Sequence, residues 1–405
     1  MIRKLYRPAR SPFVAVQAPR APYTLCLSKG VASFLRRPFP VRLTSSTPTL
    51  AVALTQATLA FFLLASSLVA QTPSPALLVL EKSDNMLAIV DPATLKIVGR
   101  VPAGPDPHEI ESSPDGKLAY ISNYGGSDSS LHTISVVDLA DQKALPPVDL
   151  GALHSPHGLA FAGGKLYFTV ETNKVAGRYD PATQSIDWLI GTGQDRTHMV
   201  VVSADLTHVF TSNVSSATIS IIEQADAPSF GPPLSPTPGS APPPGPPPGG
   251  PRKTWRITNV PAGRGSEGFD LSPDGKQIWV ANAQDGTVTV IDVAAKKALQ
   301  TFPVPVKGNR LKITPDGKQV LVSGMGSGSS KANLVILDFA THKEVKTFDL
   351  GGGSAGILIV PDGSRAFVAV SAKDKVAVID LKALEVSATI PTGKGPDGLA
   401  WSTRK

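Results

Sequence analysis

Three histidines and a glutamate fall at one repeated position in this 405-residue chain. Aligned on a recurring Pro-Asp-Gly turn, His108, His157, His198, Glu267, Asn309, Ala355 and Asp397 are equivalent. The sequence holds only seven histidines, so three at one equivalent place carry weight. Imidazole and carboxylate suit a divalent metal ion, which makes His108, His157, His198 and Glu267 candidate metal ligands. A His/Glu pair can also move protons, so His157, His198 and Glu267 are the candidate catalytic residues. Arg310, next to Asn309, could reach an anionic substrate, and Glu109 could add charge. The plainer reading is a set of polar side chains that solvates an opening and pairs with loop backbone.

The elements that must position these residues repeat. An apolar strand ending in an acidic residue recurs at Asp91, Asp138, Asp180, Glu223, Asp292, Asp338 and Asp380, in steps of 47, 42, 43, 69, 46 and 42. The long step contains a Pro-rich insert, residues 227–251, and without it falls into line. Before every acidic residue but the first stands a turn, at Ser113–Lys117, Ser272–Lys276, Thr314–Lys318 and Val360–Ser364, with degenerate copies at Ala162–Lys165 and Ser203–Thr207. Proline fixes φ, aspartate bonds local backbone and glycine accepts positive φ, so each is a hairpin turn. Alternating apolar residues follow, as in Gln277–Asn282, then another turn and two more strands, with no helical period. Four short antiparallel strands per unit of 40-odd residues predict a propeller blade, and seven units predict an all-β, seven-bladed β-propeller. The chain ends on what reads as a first strand (396–402), and the domain opens on a second strand (76–81) with no first strand before it. These two ends are predicted to complete one blade together. In that fold the equivalent positions, with Arg310 beside them, line the channel mouth.

Copies such as residues 271–304 resemble the YVTN-type propeller repeat, and the resemblance runs over about residues 76–402. Two blades lean elsewhere. Pro156–Ala160 with Lys165–Glu171 looks like the repeat of streptogramin-lyase-type propellers, and Pro107-His108 is similar to the opening of lactonase-type repeats. These resemblances imply either a binding module for a protein, glycan or small molecule, or a metal-assisted lactonase or lyase at the channel mouth. The cofactor implied in the second case is a divalent metal ion.

Other motifs carry less. Gly352–Gly356 fits the G-x-S-x-G spelling, but a strand rather than a helix follows, so an interblade loop is predicted. The repeated strand-end aspartates are expected to bond turn backbone. Trp188, Trp255, Trp279 and Trp401 lie in strands and read as core. No haem attachment motif is present.

The net charge of +7 resides in the leader. Residues 1–70 carry nine basic and no acidic residues, which leaves −2 for the remainder and argues against nucleic acid as a partner. Residues 49–70 run uncharged to Ala70, the layout of a signal peptide or signal anchor. The domains expected are thus a leader, 1–70, and a propeller, 71–405. The protein is expected to be exported, periplasmic or extracellular, monomeric, and tied to a membrane only if the leader stays uncleaved. The single Cys26 lies in the leader, so the propeller can form no disulfide.

Overall fold

The Pro-Asp-Gly turns close hairpins as their residue types dictate. Asp115 Oδ1 accepts from the Lys117 N–H, and Gly116, Gly275, Gly317 and Gly363 sit at φ near +70°. At the other hairpin of six blades the strand-end aspartate caps the turn; in blade 4 Glu223 stands there and pairs with Lys296 instead. Asp91, Asp138, Asp180, Asp292, Asp338 and Asp380 each accept a backbone N–H two or three residues on. This repetition identifies them as turn residues rather than site residues.

The structure is a computed structural model describing residues 71–126, 129–227, 253–326 and 328–405. The leader and the body of the Pro-rich insert lie outside the described residues. Twenty-eight strands among the described residues form seven four-stranded antiparallel sheets, a seven-bladed β-propeller. Blade 1 takes its innermost strand from the C-terminus. Pro396–Ser402 pairs with Ala76–Glu81, the second strand of that blade. The innermost strands of blades 2 to 7 are Pro107–Ser112, Pro156–Ala162, Thr197–Val202, Ser266–Leu271, Val306–Ile313 and Ile357–Ile359. The insert interrupts the hairpin between the third and fourth strands of blade 4, Thr218–Asp226 and Lys253–Pro261.

The core lies between blades because strand side chains alternate and both faces of a blade are covered. Leu78 and Leu80 of blade 1 pack with Ile110, Ile121 and Val137 of blade 2. Leu77 and Val79 of the same strand pack with Phe367 and Val378 of blade 7. Each fully buried Leu, Ile or Phe contributes about 1.5–3 kcal/mol. Trp279 is fully buried, and Trp401 packs against Phe367. Ser354 of the Gly-rich segment donates to the Asn333 carbonyl at 2.5 Å between two blades, in the loop that its neighbours predict.

Candidate functional site

A backbone irregularity aims the equivalent residues at the axis. In blades 2 to 5 the ladder between first and second strands skips a step just after the strand start: Pro107 to Ile110, Pro156 to Leu159, Thr197 to Val200 and Ser266 to Phe269. The skipped residues are His108-Glu109, His157-Gly158, His198-Met199 and Glu267-Gly268. Such bulges re-aim side chains at barrel and propeller rims. The freed N–H groups find hydroxyls on the second strand. Glu109 N donates to Ser122 Oγ (3.0 Å), Gly158 N to Thr169 Oγ1 (2.9 Å) and Met199 N to Ser212 Oγ (3.2 Å). Glycine after the site residue lets neighbouring inner strands close on the axis, since a Cβ on Gly158 would lie 2.5 Å from the His198 carbonyl oxygen.

The three histidines are brought together. His157 lies with its ring centroid 3.5 Å from His198 and 4.4 Å from His108. His198 is buried between two carboxylates. Its Nδ1 is 2.5 Å from Glu171 Oε1, and its Nε2 is 2.8 Å from Glu267 Oε2 in a contact that is electrostatic rather than hydrogen-bonded in geometry. Glu171 Oε2 also accepts from the Tyr124 hydroxyl at 2.6 Å and from Arg196 Nε at 3.4 Å. Burial pushes the His198 pKa down, but Glu267 and Glu171 outweigh it, and the net shift is upward. Burial acts upward on Glu267, yet His198, Arg310 and Arg196 bring it to about 2. His198 thus lies between two carboxylates that favour its protonated form.

His157 and His108 are neutral. Burial, with the charges of His198 and His108 next, drives His157 well below the usual range. Burial also lowers His108, to about 4, against the pull of Asp397. His108 Nδ1 lies 3.1 Å from Asp397 Oδ2 and receives a close contact from Lys82 Nζ, which also pairs with Asp397 (3.4 Å) and Asp106 (3.7 Å). Neither ring nitrogen of His157 has a partner among the described residues, and the side chain is fully buried.

The remaining residues sort by neighbour. Glu109 of blade 2 and Arg310 of blade 6 form a close ion pair across the channel, and Arg310 Nη1 also reaches Asn309 Oδ1 at 3.2 Å. Ala355 offers no polar atom beyond its backbone. A cavity of about 810 Å³ opens above, lined by His108, Asn309, Asp397, Lys82, Lys307 and Gln284 among others. Below the Glu109–Arg310 pair a second cavity of about 240 Å³ continues, and burial there pushes the Glu111 carboxyl up to about 7.

The donor set fits a cation in part. One ligand atom each from His108, Glu109 and His157 lies within 4.8 Å of the others. A tetrahedral centre with bonds of ~2.1 Å needs ligand atoms ~3.4 Å apart, so the three would close by about an ångström. His198 and Glu267 turn toward each other instead of joining this group. Around the site Lys82, Arg196, Arg310 and His198 face Asp106, Glu109, Glu171, Glu267 and Asp397, and Lys307 lines the cavity beside them, so the charges are close to balanced.

Lys82, Tyr124 and Glu171 escaped the sequence reading of the site. They occupy a second repeated column at the end of the second strand of each blade: Lys82, Tyr124, Glu171, Val214, Ala283 and Ser371 directly follow that strand, whereas in blade 6 the strand runs on to Gly326 and Met325 lies within it. The same alignment shifted to that turn reveals them.

No family model matches the chain, and no curated protein matches it in sequence. Solved structures do resemble it. A periplasmic gluconolactonase of Pseudomonas aeruginosa is 16% identical with a TM-score of 0.59, over 82% of this chain and 100% of that one. The hydrazine synthase of Kuenenia stuttgartiensis is 19% identical with a TM-score of 0.56, over 73% of this chain and 89% of that one. A Desulfotomaculum acetoxidans protein of unknown function is 12% identical with a TM-score of 0.63, over 82% of this chain and 100% of that one. At such identities the likeness shows the propeller fold and nothing finer.

Proposed function

We propose that this propeller is a metal-dependent hydrolase of the lactonase kind, with the cation held by His108, His157 and Glu109 and the substrate seated in the cavity above. The observation that carries the reading is His157. A fully buried imidazole with two unpartnered nitrogens is costly, and a ligand that takes one lone pair explains why the residue is kept. A divalent cation bound there would supply Lewis acidity and lower the pKa of its water. His108 and His157 each give their one lone pair to the cation and take no proton; His198, oriented by Glu171 and favoured in its protonated form by both neighbouring carboxylates, is the acid that donates to a leaving alkoxide. Lys82 and Asn309 face the same cavity and orient a polar substrate.

The lactonase among the structural relatives supports this reading, as does the resemblance of Pro107-His108 to lactonase-type repeats. The leader supports export, and among the described residues no helix is long and apolar enough to cross a membrane. A second reading, a binding module without catalysis, is favoured by two contacts that a cation would displace: Lys82 on His108 Nδ1 and Arg310 on Glu109.

The test is metal content by elemental mass spectrometry, followed by pH-stat hydrolysis of a panel of γ- and δ-lactones. The parent is expected to hold near-stoichiometric metal and hydrolyse at least one lactone, and His157→Phe neither. A parent free of metal after incubation with zinc, manganese, magnesium and calcium salts, and inert toward the panel, sinks the enzyme reading in favour of the binding module.

A further inference from the structure

The cavity above the histidine cluster is chemically lopsided. Blades 5, 6, 7, 1 and 2 line it and blades 3 and 4 do not, so it sits to one side of the axis, with His108 at one end. The ionic groups gather where blades 1 and 2 meet, and Lys82, His108 and Asp397 contact one another there.

Blade 7 supplies the reverse. Its Gly353, Ala355 and Ala372 offer the cavity no side-chain nitrogen or oxygen. Its two serines are turned to backbone. Ser354 Oγ donates to the Asn333 carbonyl (2.5 Å) and accepts from the Gly324 N–H (3.1 Å), and Ser371 Oγ donates to the Pro396 carbonyl (2.6 Å). Ala355 stands where the other blades place histidine, carboxylate or asparagine.

Blade 6 lays Met325 across this wall. A Cβ on Gly353 would lie 3.2 Å from Met325 Cγ, so the glycine makes room for the thioether stem. Met325 is 66% exposed, the most exposed large apolar side chain among the described residues. A flexible, polarizable side chain left open in this way suits a surface that closes on apolar ligands. Lys307 and Gln284 also line the cavity, but both are exposed and solvated. The volume of about 810 Å³ falls within the roughly 300–1,000 Å³ that enclose a drug-sized ligand and is more than a bare lactone ring fills.

We propose that this cavity takes a ligand with a compact polar head and an aliphatic arm, the head at His108 and Lys82 and the arm along Met325, Ala355 and Ala372. That the head is a lactone rests on the hydrolase reading above; the arm does not. On that reading the substrates are alkyl-substituted γ- and δ-lactones rather than polyhydroxylated sugar lactones. A sugar hydroxyl laid against the blade 7 wall exchanges water for hydrocarbon, which is unfavourable, whereas a methylene laid there leaves water favourably.

Two measurements test this, one of them independent of catalysis. The kcat/KM for γ-butyrolactone, γ-caprolactone and γ-octalactone is expected to rise about fivefold to tenfold at each two-carbon step, as burial of methylenes in a partly open cavity gives. Glucono-δ-lactone is expected to fall roughly tenfold or more below γ-octalactone. Calorimetric titration with the matching γ-lactams, which resist hydrolysis, is expected to show affinity rising by a similar factor per step. Met325→Glu is expected to cut the octyl-to-butyrolactone ratio about tenfold in both series. Hydrolysis that is flat or falling with arm length, fastest on glucono-δ-lactone, or indifferent to Met325→Glu overturns the proposal and leaves the hydrolase standing. No hydrolysis of any lactone, with lactam affinity still rising along the series, sinks the hydrolase reading and supports the arm. No hydrolysis and lactam affinity that ignores the arm overturn both. Should Met325→Glu fail to fold, the parent series decides alone.

Discussion

Replacing His157 by phenylalanine should stabilise the metal-free protein while abolishing the proposed cation site. A neutral imidazole has one donor and one acceptor, and both are unpartnered and buried here. Each such group costs about 1–3 kcal/mol. Phenylalanine removes both and keeps the ring contacts with His198 (3.5 Å), His108 (4.4 Å) and Tyr124 (4.8 Å). The slightly larger ring returns about 1–3 kcal/mol as overpacking. The net expectation is a gain of about 2 kcal/mol. Urea unfolding at pH 7 in EDTA measures it, as a higher midpoint at unchanged slope. Added zinc at a hundredfold excess over its Kd should stabilise the parent by about 2.7 kcal/mol and the variant not at all. A loss of 1 kcal/mol or more for the variant in EDTA would refute the reasoning, because the His157 nitrogens would then have partners in solution and the residue would be structural.

Three further outcomes are expected. Glu109→Gln leaves the buried Arg310 guanidinium without its countercharge and should cost about 3 kcal/mol, most of which a Glu109→Leu/Arg310→Met double variant recovers in the same urea assay. Glu267, whose pKa falls from 4.5 to about 2 on folding, contributes stability that is complete above pH 4.5 and lost as pH falls toward 2; Glu267→Gln should flatten that acid limb, worth about 3 kcal/mol, in denaturation series run from pH 6 to 2. Deleting residues 396–405 removes the innermost strand of blade 1 and leaves Ala76–Glu81 as an open edge. Circular dichroism should show loss of the native sheet, with recovery on adding a peptide of residues 394–405.

The blade plan was legible because it is written in local chemistry. Pro-Asp-Gly needs no distant partner to make its turn, and the strand-end aspartates bond N–H groups two or three residues away. Strand alternation reports two buried faces whatever the neighbour. Even the closure of blade 1 followed from an unpaired strand at each end of the repeat array. The candidate site was legible as a column of residues, because a repeat places equivalent positions at equivalent depths. Lys82, Tyr124 and Glu171 stand in a second column whose other members, such as Val214 and Ala283, are apolar, so no repeated residue chemistry marks it.

Sequence by itself thus determined the fold and the number of blades, since each rests on contacts within one repeat. Only the tertiary structure decided which ring residues meet. His108, His157 and His198 come from three blades, Glu109 and Arg310 from opposite sides of the channel, and their separations depend on how seven sheets close about one axis. Protonation was likewise out of reach of the sequence. Identical imidazoles are shifted toward the protonated form at His198 and toward the neutral form at His108 and His157, because the balance of burial against neighbouring carboxylates differs at each and is set by packing alone.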